Sequence, residues 1–422
     1  MAQLDELIYW KMMKLVRWLS LGAAVGLSAV LWPFLQGEVA LPPSLSKLES
    51  ARPSGPPVDL GKMDLTRLDQ RLSGITTPLE AGYRARLTLN PKVQSAALRT
   101  MKKYRVPEAG LVALEPKTGK VIAYASYLHE GDSFDVNLRA DPPAASVFKV
   151  VTGSALVERA GLSHKTEQCY RGGRSKITEA ELKDNPSRDK WCANLGTAMG
   201  RSLNVVFARL ARKHLTPRDL TEVGGAFGFG TPVPFVVPNE APTIDIPEDP
   251  LEFARASAGF WHSTLSPLAA ASLVQTIANG GVTLEPRIVE SVERRGNVVW
   301  TAPDQPRVVR RALSHDTAEE VKRMMLNTVN GGSAHKIFHD QKGRSFLPGI
   351  AVAGKTGTLT KHRENRHYTW LVAFAPAEDP EIAVAAVIVN TPRWRIKGPH
   401  LAREVLRAHF ADQGVKGVSF PQ

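Results

Sequence analysis

Along this chain the apolar positions follow three different rhythms, and the first is an unbroken run. Trp18 to Leu35 carry no charge over 18 residues, and as a helix they reach roughly 27 Å, which is enough to cross a bilayer core. Lys11, Lys14 and Arg17 precede the run, whereas Glu38 is the only charge between it and Lys47. The positive-inside rule therefore keeps the N-terminus in the cytoplasm and sends the remainder outward. A cleaved signal peptide is the competing reading. The length of the run, Trp32 and Pro33 near its end, and the lack of an A-x-A site argue against it. The expected layout is a cytoplasmic segment at 1–17 and an anchor at 18–36.

The next stretch, 37–84, is a linker with a short pre-domain piece. ALPPSLSKLESARPSGPPVDLGK has the composition of a spacer, and Leu65 to Leu72 is briefly amphipathic. From 85 onward the period changes to that of folded elements. ARLTLN alternates like a strand, and PKVQSAALRTMKKY repeats like a helix with Pro91 in its first turn. LVALE and VIAYAS are two apolar runs joined by PKTGK, which predicts a hairpin. Helical patterning dominates from Ala145 to Leu215. IAVAGKTGTL, YTWLVAFAP and EIAVAAVIVN then read as strands, and a last helix falls near His400 to Phe410. Strands, a helical insert and strands again predict a mixed α+β domain over 85–412, an antiparallel sheet with a helical subdomain, followed by a tail at 413–422.

Composition narrows the partners. Hydrophobic residues at 43% and charged residues at 23% of 422 are ordinary for a globular protein, which excludes bulk disorder. The net charge of +13 favours an anionic neighbour such as a lipid surface, a cell-wall polymer or nucleic acid. No Lys/Arg run is interleaved with aromatics, so nucleic acid is the weakest of these. Cys169 and Cys192 bracket a polar, glycine-bearing excursion. Outside the cytoplasm they can form a disulfide, and two separate buried thiols are the alternative.

Candidate chemistry sits in three places. Ser146-Val147-Phe148-Lys149 follows Pro142-Pro143 and leads into an apolar helix, so Lys149 lies one turn after Ser146 on the same face. The helix N-terminus favours an alkoxide and the oxyanion formed after attack. A lysine flanked by Phe148 and Val150 is desolvated enough to serve as base. The same spacing recurs at Ser44/Lys47 in the spacer, at Ser187/Lys190 in a polar loop, and at Ser333/Lys336, where the serine reads as a helix cap. Only Ser146 has the proline lead-in and the buried helix behind it. Ser202-Leu203-Asn204 is a tight link between two helical runs. It offers a hydroxyl that can shuttle a proton and an amide that can hold a peptide carbonyl. Lys355-Thr356-Gly357-Thr358 lies in an apolar strand, where lysine and threonine can bind a carboxylate and Gly357 lets a backbone approach. The copy at Lys117-Thr118-Gly119 is turn chemistry.

The order S-x-x-K, S-x-N, K-T-G marks penicillin-binding proteins and class A β-lactamases. With TLNPKVQSAA, LEPKTGKVIAYAS and PLAAASLVQTIANGGVTLEP, the stretch from Ala85 to His400 resembles the transpeptidase domain of penicillin-binding proteins. The resemblance implies that Ser146 attacks a terminal D-alanyl-D-alanine and that Lys149 takes its proton. It implies that Ser202 relays a proton, that Asn204 holds the peptide, and that Lys355, Thr356 and Thr358 bind the carboxylate, with Gly357 between them. The backbone N–H groups of Ser146 and Thr358 would form the oxyanion hole. It implies no cofactor and no metal. The expected ligands are peptidoglycan stem peptides and β-lactams, the expected neighbours are the inner membrane and cell-wall synthesis proteins, and no nucleic acid is expected. No segment resembles a glycosyltransferase domain. D,D-carboxypeptidase, β-lactamase and penicillin sensor remain as alternatives to transpeptidase. A basic tip at Lys361, His362, Arg363, Arg366 and His367 adds the expectation that anionic polymer is steered toward the cleft.

Overall fold

The computed structural model describes residues 55–71, 74–131, 134–173 and 176–411. The expected anchor, the cytoplasmic segment before it, most of the spacer and the C-terminal tail lie outside these residues. No helix among the described residues is long and apolar enough to cross a membrane.

The elements run in chain order as β1 (Asp69–Arg71), β2 (Gly74–Pro78), β3 (Tyr83–Leu87), α1 (Pro91–Lys103), β4 (Glu108–Leu114) and β5 (Val121–Leu128). The insert follows as α2 (Lys149–Glu158), β6 (Glu167–Tyr170), β7 (Trp191–Asn194), α3 (Leu195–Arg201) and α4 (Asn204–His214). Then come α5 (Pro267–Ala278), β8 (Val282–Leu284), β9 (Val289–Arg294), β10 (Asn297–Thr301), β11 (Val308–Arg311) and α6 (His315–Asn330). The chain closes with β12 (Ala353–Lys361), β13 (Arg366–Ala375), β14 (Ile382–Asn390) and α7 (Gly398–Phe410).

The main sheet has the order β12-β13-β14-β4-β5, antiparallel throughout. Its central strand β14 is buried at every position. That explains a continuous apolar run instead of an alternating one, since helices cover both faces. Val93, Met101, Leu401 and Val405 of α1 and α7 pack on one face, and Leu268 and Val274 of α5 pack on the other. Helix α1 starts where expected because the Asn90 side chain accepts from the N–H groups of Lys92 and Val93, with Pro91 in the first turn. Strand β12 lies at the edge, so half of its backbone groups face outward, free to pair with an extended ligand.

Two expectations need correction. Folding begins well before 85: β1 and β2 join β3, β9 and β10 in a second five-stranded sheet. Leu60, Met63 and Leu65 are buried in the main core together with Ile75. The prolines and glycines around them hide these contacts, because the strands are short and their partners lie distant in sequence. The helical middle also contains a hairpin, β6–β7, in which Cys169 directly faces Cys192 and is disulfide-bonded to it. Arg209 of α4 pins the excursion between the cysteines from inside. Its guanidinium is fully buried and donates to Cys169 O (2.8 Å), Glu181 O (2.6 Å), Lys183 O (3.1 Å) and Asp189 (2.8 Å). The bonds from Arg209 hold the Asp189 carboxyl well below the usual carboxylate range.

Candidate active site

The three motifs meet on one side of the main sheet, between the start of α2, the α3–α4 link and the edge strand β12. Ser146 sits in the single 3-10 turn Ala145–Phe148 that enters α2, and the preceding Ala145 takes a left-handed backbone (φ 49°). Such a conformation is costly for alanine, by roughly 1–3 kcal/mol, and it persists only where packing enforces it. Gly259 supplies that packing: a Cβ there would come within 2.2 Å of Ala145 O. Trp370, wholly buried on β13, donates from Nε1 to Pro143 O at 3.0 Å and fixes the proline lead-in. Gly357 faces the same wall. A Cβ there would meet Trp370 and Val147 at 3.1 and 3.2 Å, so glycine lets β12 lie against the Ser146 turn.

Lys149 is fully buried, and its Nζ has three neighbours: Ser146 Oγ at 2.9 Å, Asn204 Oδ1 at 2.7 Å and Ala258 O at 2.6 Å. Two of these are amide oxygens that can only accept. A neutral amine has two N–H groups and one lone pair, so both N–H groups are committed to the amide oxygens and the lone pair is left for the Ser146 hydroxyl. Burial, and then repulsion from Lys355, hold the Lys149 amine well below the ordinary lysine range. The contacts accommodate an unprotonated amine, and burial favours that form.

Ser202 ends α3 in a left-handed conformation (φ 58°), and Asn204 opens α4 two residues later. The Ser202 hydroxyl lies 2.9 Å from Lys355 Nζ, which also donates to Thr356 O at 2.8 Å. Lys355 is fully buried, and burial brings its amine down to about 7. Thr356 and Thr358 rise beside it on β12, half-buried and exposed respectively.

One residue of this site was passed over as a helix cap. Ser333 lies beside Thr356, with the two hydroxyl oxygens 2.6 Å apart, and its N–H donates to Gly200 O at 2.9 Å. The only signal was Asn330-Gly331-Gly332 before it: a Cβ on Gly332 would meet Gly200 O at 2.3 Å. Ser187 of the other repeated spacing bonds Asn185 in the excursion, and Lys117 pairs with Asp379; neither belongs to the cleft. The basic tip is less basic than its sequence. Arg366 donates to Glu108 at 2.6 Å, and Lys361 lies 3.7 Å from Asp141. His367 stacks on Trp394.

Known proteins resemble this chain in sequence and in fold. A family model described as the penicillin binding protein transpeptidase domain matches residues 109–410. The peptidoglycan D,D-transpeptidase PbpA of Mycobacterium tuberculosis is 31% identical over 365 residues, covering 76% of this chain and 70% of the relative. Among solved structures, the D,D-transpeptidase domain of a peptidoglycan glycosyltransferase from Eggerthella lenta superposes with a TM-score of 0.65 at 27% identity, covering 78% of this chain and 84% of that one. Penicillin-binding protein A of M. tuberculosis, as its penicillin G acyl-enzyme complex, gives a TM-score of 0.60 at 25% identity, covering 77% and 80%.

Proposed function

Because this chain belongs to the penicillin-binding protein transpeptidase family, we propose that it is a membrane-anchored peptidoglycan D,D-transpeptidase with Ser146 as nucleophile. One observation carries the reading: the buried Lys149 amine lies 2.9 Å from Ser146 Oγ with amide oxygens holding its other two directions. Neutral Lys149 takes the hydroxyl proton as Oγ attacks the carbonyl carbon of the penultimate D-alanine. The oxyanion forms against the backbone N–H groups of Ser146 and Thr358. Asn204 aligns the donor peptide, and Lys355 with Thr356 and Thr358 holds the terminal carboxylate. The intermediate collapses as the C–N bond breaks, and Ser202 passes a proton to the departing D-alanine amine. The amine of a second stem peptide then attacks the ester, forming the cross-link and releasing Ser146.

The expected anchor and spacer favour transfer over hydrolysis, because they hold the domain where acceptor peptides are concentrated. The same anchor places the catalytic domain on the outer face of the cytoplasmic membrane. The test has two parts. Ser146→Ala is expected to abolish covalent labelling by a fluorescent penicillin, while alanine at Ser187, outside the cleft, retains it at the wild-type rate and alanine at Ser333 leaves the nucleophile in place to be labelled, at a reduced rate. With a thioester donor, the ratio of cross-linked to hydrolysed product is expected to rise with added D-amino acid. A ratio near zero at millimolar acceptor would make the protein a carboxypeptidase, and penicillin turnover within seconds would make it a β-lactamase.

A further inference from the structure

Helix α1 carries Lys92, Arg99, Lys102 and Lys103 and no acidic residue, and Arg105 follows directly after it. Its inner face is spent on packing: Val93, Ala97 and Met101 are buried in one core with Leu371 and Ala373 of β13. Lys92, Ser95, Arg99, Lys102 and Lys103 recur three and four residues apart, so they form the opposite stripe, and its four cations are exposed. Among the described residues no carboxylate pairs with Arg99, Lys102, Lys103 or Arg105. The neighbouring α7 differs, because Arg403 and Arg407 both bond Glu404. Cations in the last turn gain modestly from the helix dipole, but Lys92 in the first turn and Arg99 in the middle do not. Tyr104 closes the helix at 42% exposure, with Lys103 Nζ 5.7 Å from its ring centroid.

Alongside the stripe runs a hollow of about 370 Å³ lined by Gln70, Lys92, Ser95, Arg99, Ala408 and Ala411. Guanidinium, ammonium and hydroxyl groups beside small apolar side chains suit a phosphate esterified to an apolar chain. Gln70 of β1 donates to Pro91 O at 2.9 Å and to Ser95 Oγ, which fastens the strand by which the chain enters the domain to this helix. The entering segment also runs along β5, where Met63 to Arg67 and Ser126 to Leu128 line one groove. In the main sheet β5 is the edge farthest from β12 and its cleft.

These positions decide between two anionic partners. A wall polymer held on α1 would lie behind the sheet from the reacting peptide, since Val147 and Phe148 beside Ser146 share the core of Trp370 and Val372, on the other face of β13. The expected anchor, in contrast, is joined to the entering segment by the 18 residues 37–54, whose root-mean-square reach is about 25 Å. Lipid headgroups are therefore the anionic surface at hand. We propose that the outer stripe of α1 docks on anionic phospholipid, with a headgroup phosphate in the hollow between Arg99 and Ser95 and Tyr104 at the interface, so that the Ser146 cleft opens away from the bilayer. This inference rests on the membrane-anchored reading and deepens it by naming the surface that meets the lipid.

The test uses the full chain in nanodiscs of phosphatidylcholine, with or without about one third phosphatidylglycerol, and reads lysine acetylation by an amine-reactive ester with mass spectrometry. Each cation at an anionic surface contributes about fivefold to the docked population, before the cost of ordering the domain. Acetylation of Lys102 and Lys103 is expected to be about tenfold slower in the anionic discs than in the neutral ones. Lys190, exposed on the insert, is expected to react equally in both. High salt is expected to remove the difference. Arg99→Gln combined with Arg105→Gln keeps both reporter lysines and is expected to lose the protection while penicillin labelling stays at the wild-type rate. Equal acetylation in the two kinds of disc would overturn the proposal, and so would protection that survives the double substitution. Protection in neutral discs on adding a soluble anionic wall polymer, with none from phosphatidylglycerol, would overturn it in favour of a polymer site. Co-elution of the chain with the discs reports separately on the anchor, and penicillin labelling at Ser146 on the catalytic reading.

Discussion

Acylation by a carboxylate-bearing substrate is expected to peak near neutral pH and to fall above about 7, and the falling limb is expected to belong to Lys355. On the proposed mechanism, the two fully buried lysines of the site have opposite requirements. Lys149 must be neutral to take the Ser146 proton, and burial followed by repulsion from Lys355 holds it there. Lys355 must be charged to hold a carboxylate, yet burial lowers its amine to about 7. Raising the pH through the Lys149 range gains the base, and raising it further removes the ammonium that binds substrate. Two pH units above about 7, only ~1% of the free enzyme carries the Lys355 charge, a loss of about a hundredfold in kcat/KM. The assay is the second-order rate of labelling by a fluorescent penicillin from pH 5 to 10. Lys355→Arg keeps a charge that does not titrate in this range, so its profile is expected to stay flat above 7, whatever is lost overall from the different fork geometry. A penicillin esterified at its carboxylate is expected to lack the falling limb with the wild-type protein. A falling limb of the same position in Lys355→Arg would refute the assignment. Its absence in the wild type would refute the electrostatic argument.

Three further outcomes follow from packing. Gly259→Ala is expected to reduce acylation by about a hundredfold or more with the fold retained, as read by circular dichroism and penicillin labelling, because its Cβ would strike Ala145 O and displace the Ser146 turn. Arg209→Leu is expected to destabilise the domain by about 3 kcal/mol in urea unfolding, since it leaves the buried Asp189 carboxylate with Arg171 alone as counter-charge and strips three loop carbonyls of their donor. Cys169→Ser combined with Cys192→Ser opens a loop of sequence separation 23 and is expected to cost about 3 kcal/mol by the same measurement.

The parts of the fold written locally were legible in the sequence. The Asn90-Pro91 start of α1, the turn between β4 and β5, and the uniform apolar run of β14 each carry their reason in adjacent residues. The Ser146 helix stood out from its decoys for the same reason. What was missed depends on contacts between distant segments. Asp69–Arg71 and Gly74–Pro78 become strands because β3 and β9 lie beside them, and nothing in a proline-rich neighbourhood predicts that. The β6–β7 hairpin interrupts a helical stretch because the cysteines face each other, which the spacing permits without requiring. Ser333 looked like a cap because a hydroxyl after two glycines has the same pattern whether it bonds its own helix or a strand 23 residues later.

Those distant contacts also explain why the motifs act together. Gly200 O receives the Ser333 N–H, Ser333 meets the Thr356 hydroxyl, Lys355 meets Ser202, and Ser202 lies two residues beyond Gly200. The α3–α4 link and the edge strand are thus joined by a closed circuit of hydrogen bonds, while Lys149 ties Asn204 of the same link to Ser146. The circuit runs through two close approaches that admit no side chain: a Cβ on Gly200 would meet the Asn327 backbone at 2.7 Å, and one on Gly332 would meet Gly200 O at 2.3 Å. Close-packed contacts of this kind do not deform gradually. A shift of β12 on carboxylate binding is therefore resisted at Ser202, and the left-handed turn there is held by the strand it serves. On the proposed mechanism, the hydroxyl that meets the leaving amine and the ammonium that holds the carboxylate thereby keep one spacing, which is the condition for a short-lived tetrahedral intermediate to collapse forward.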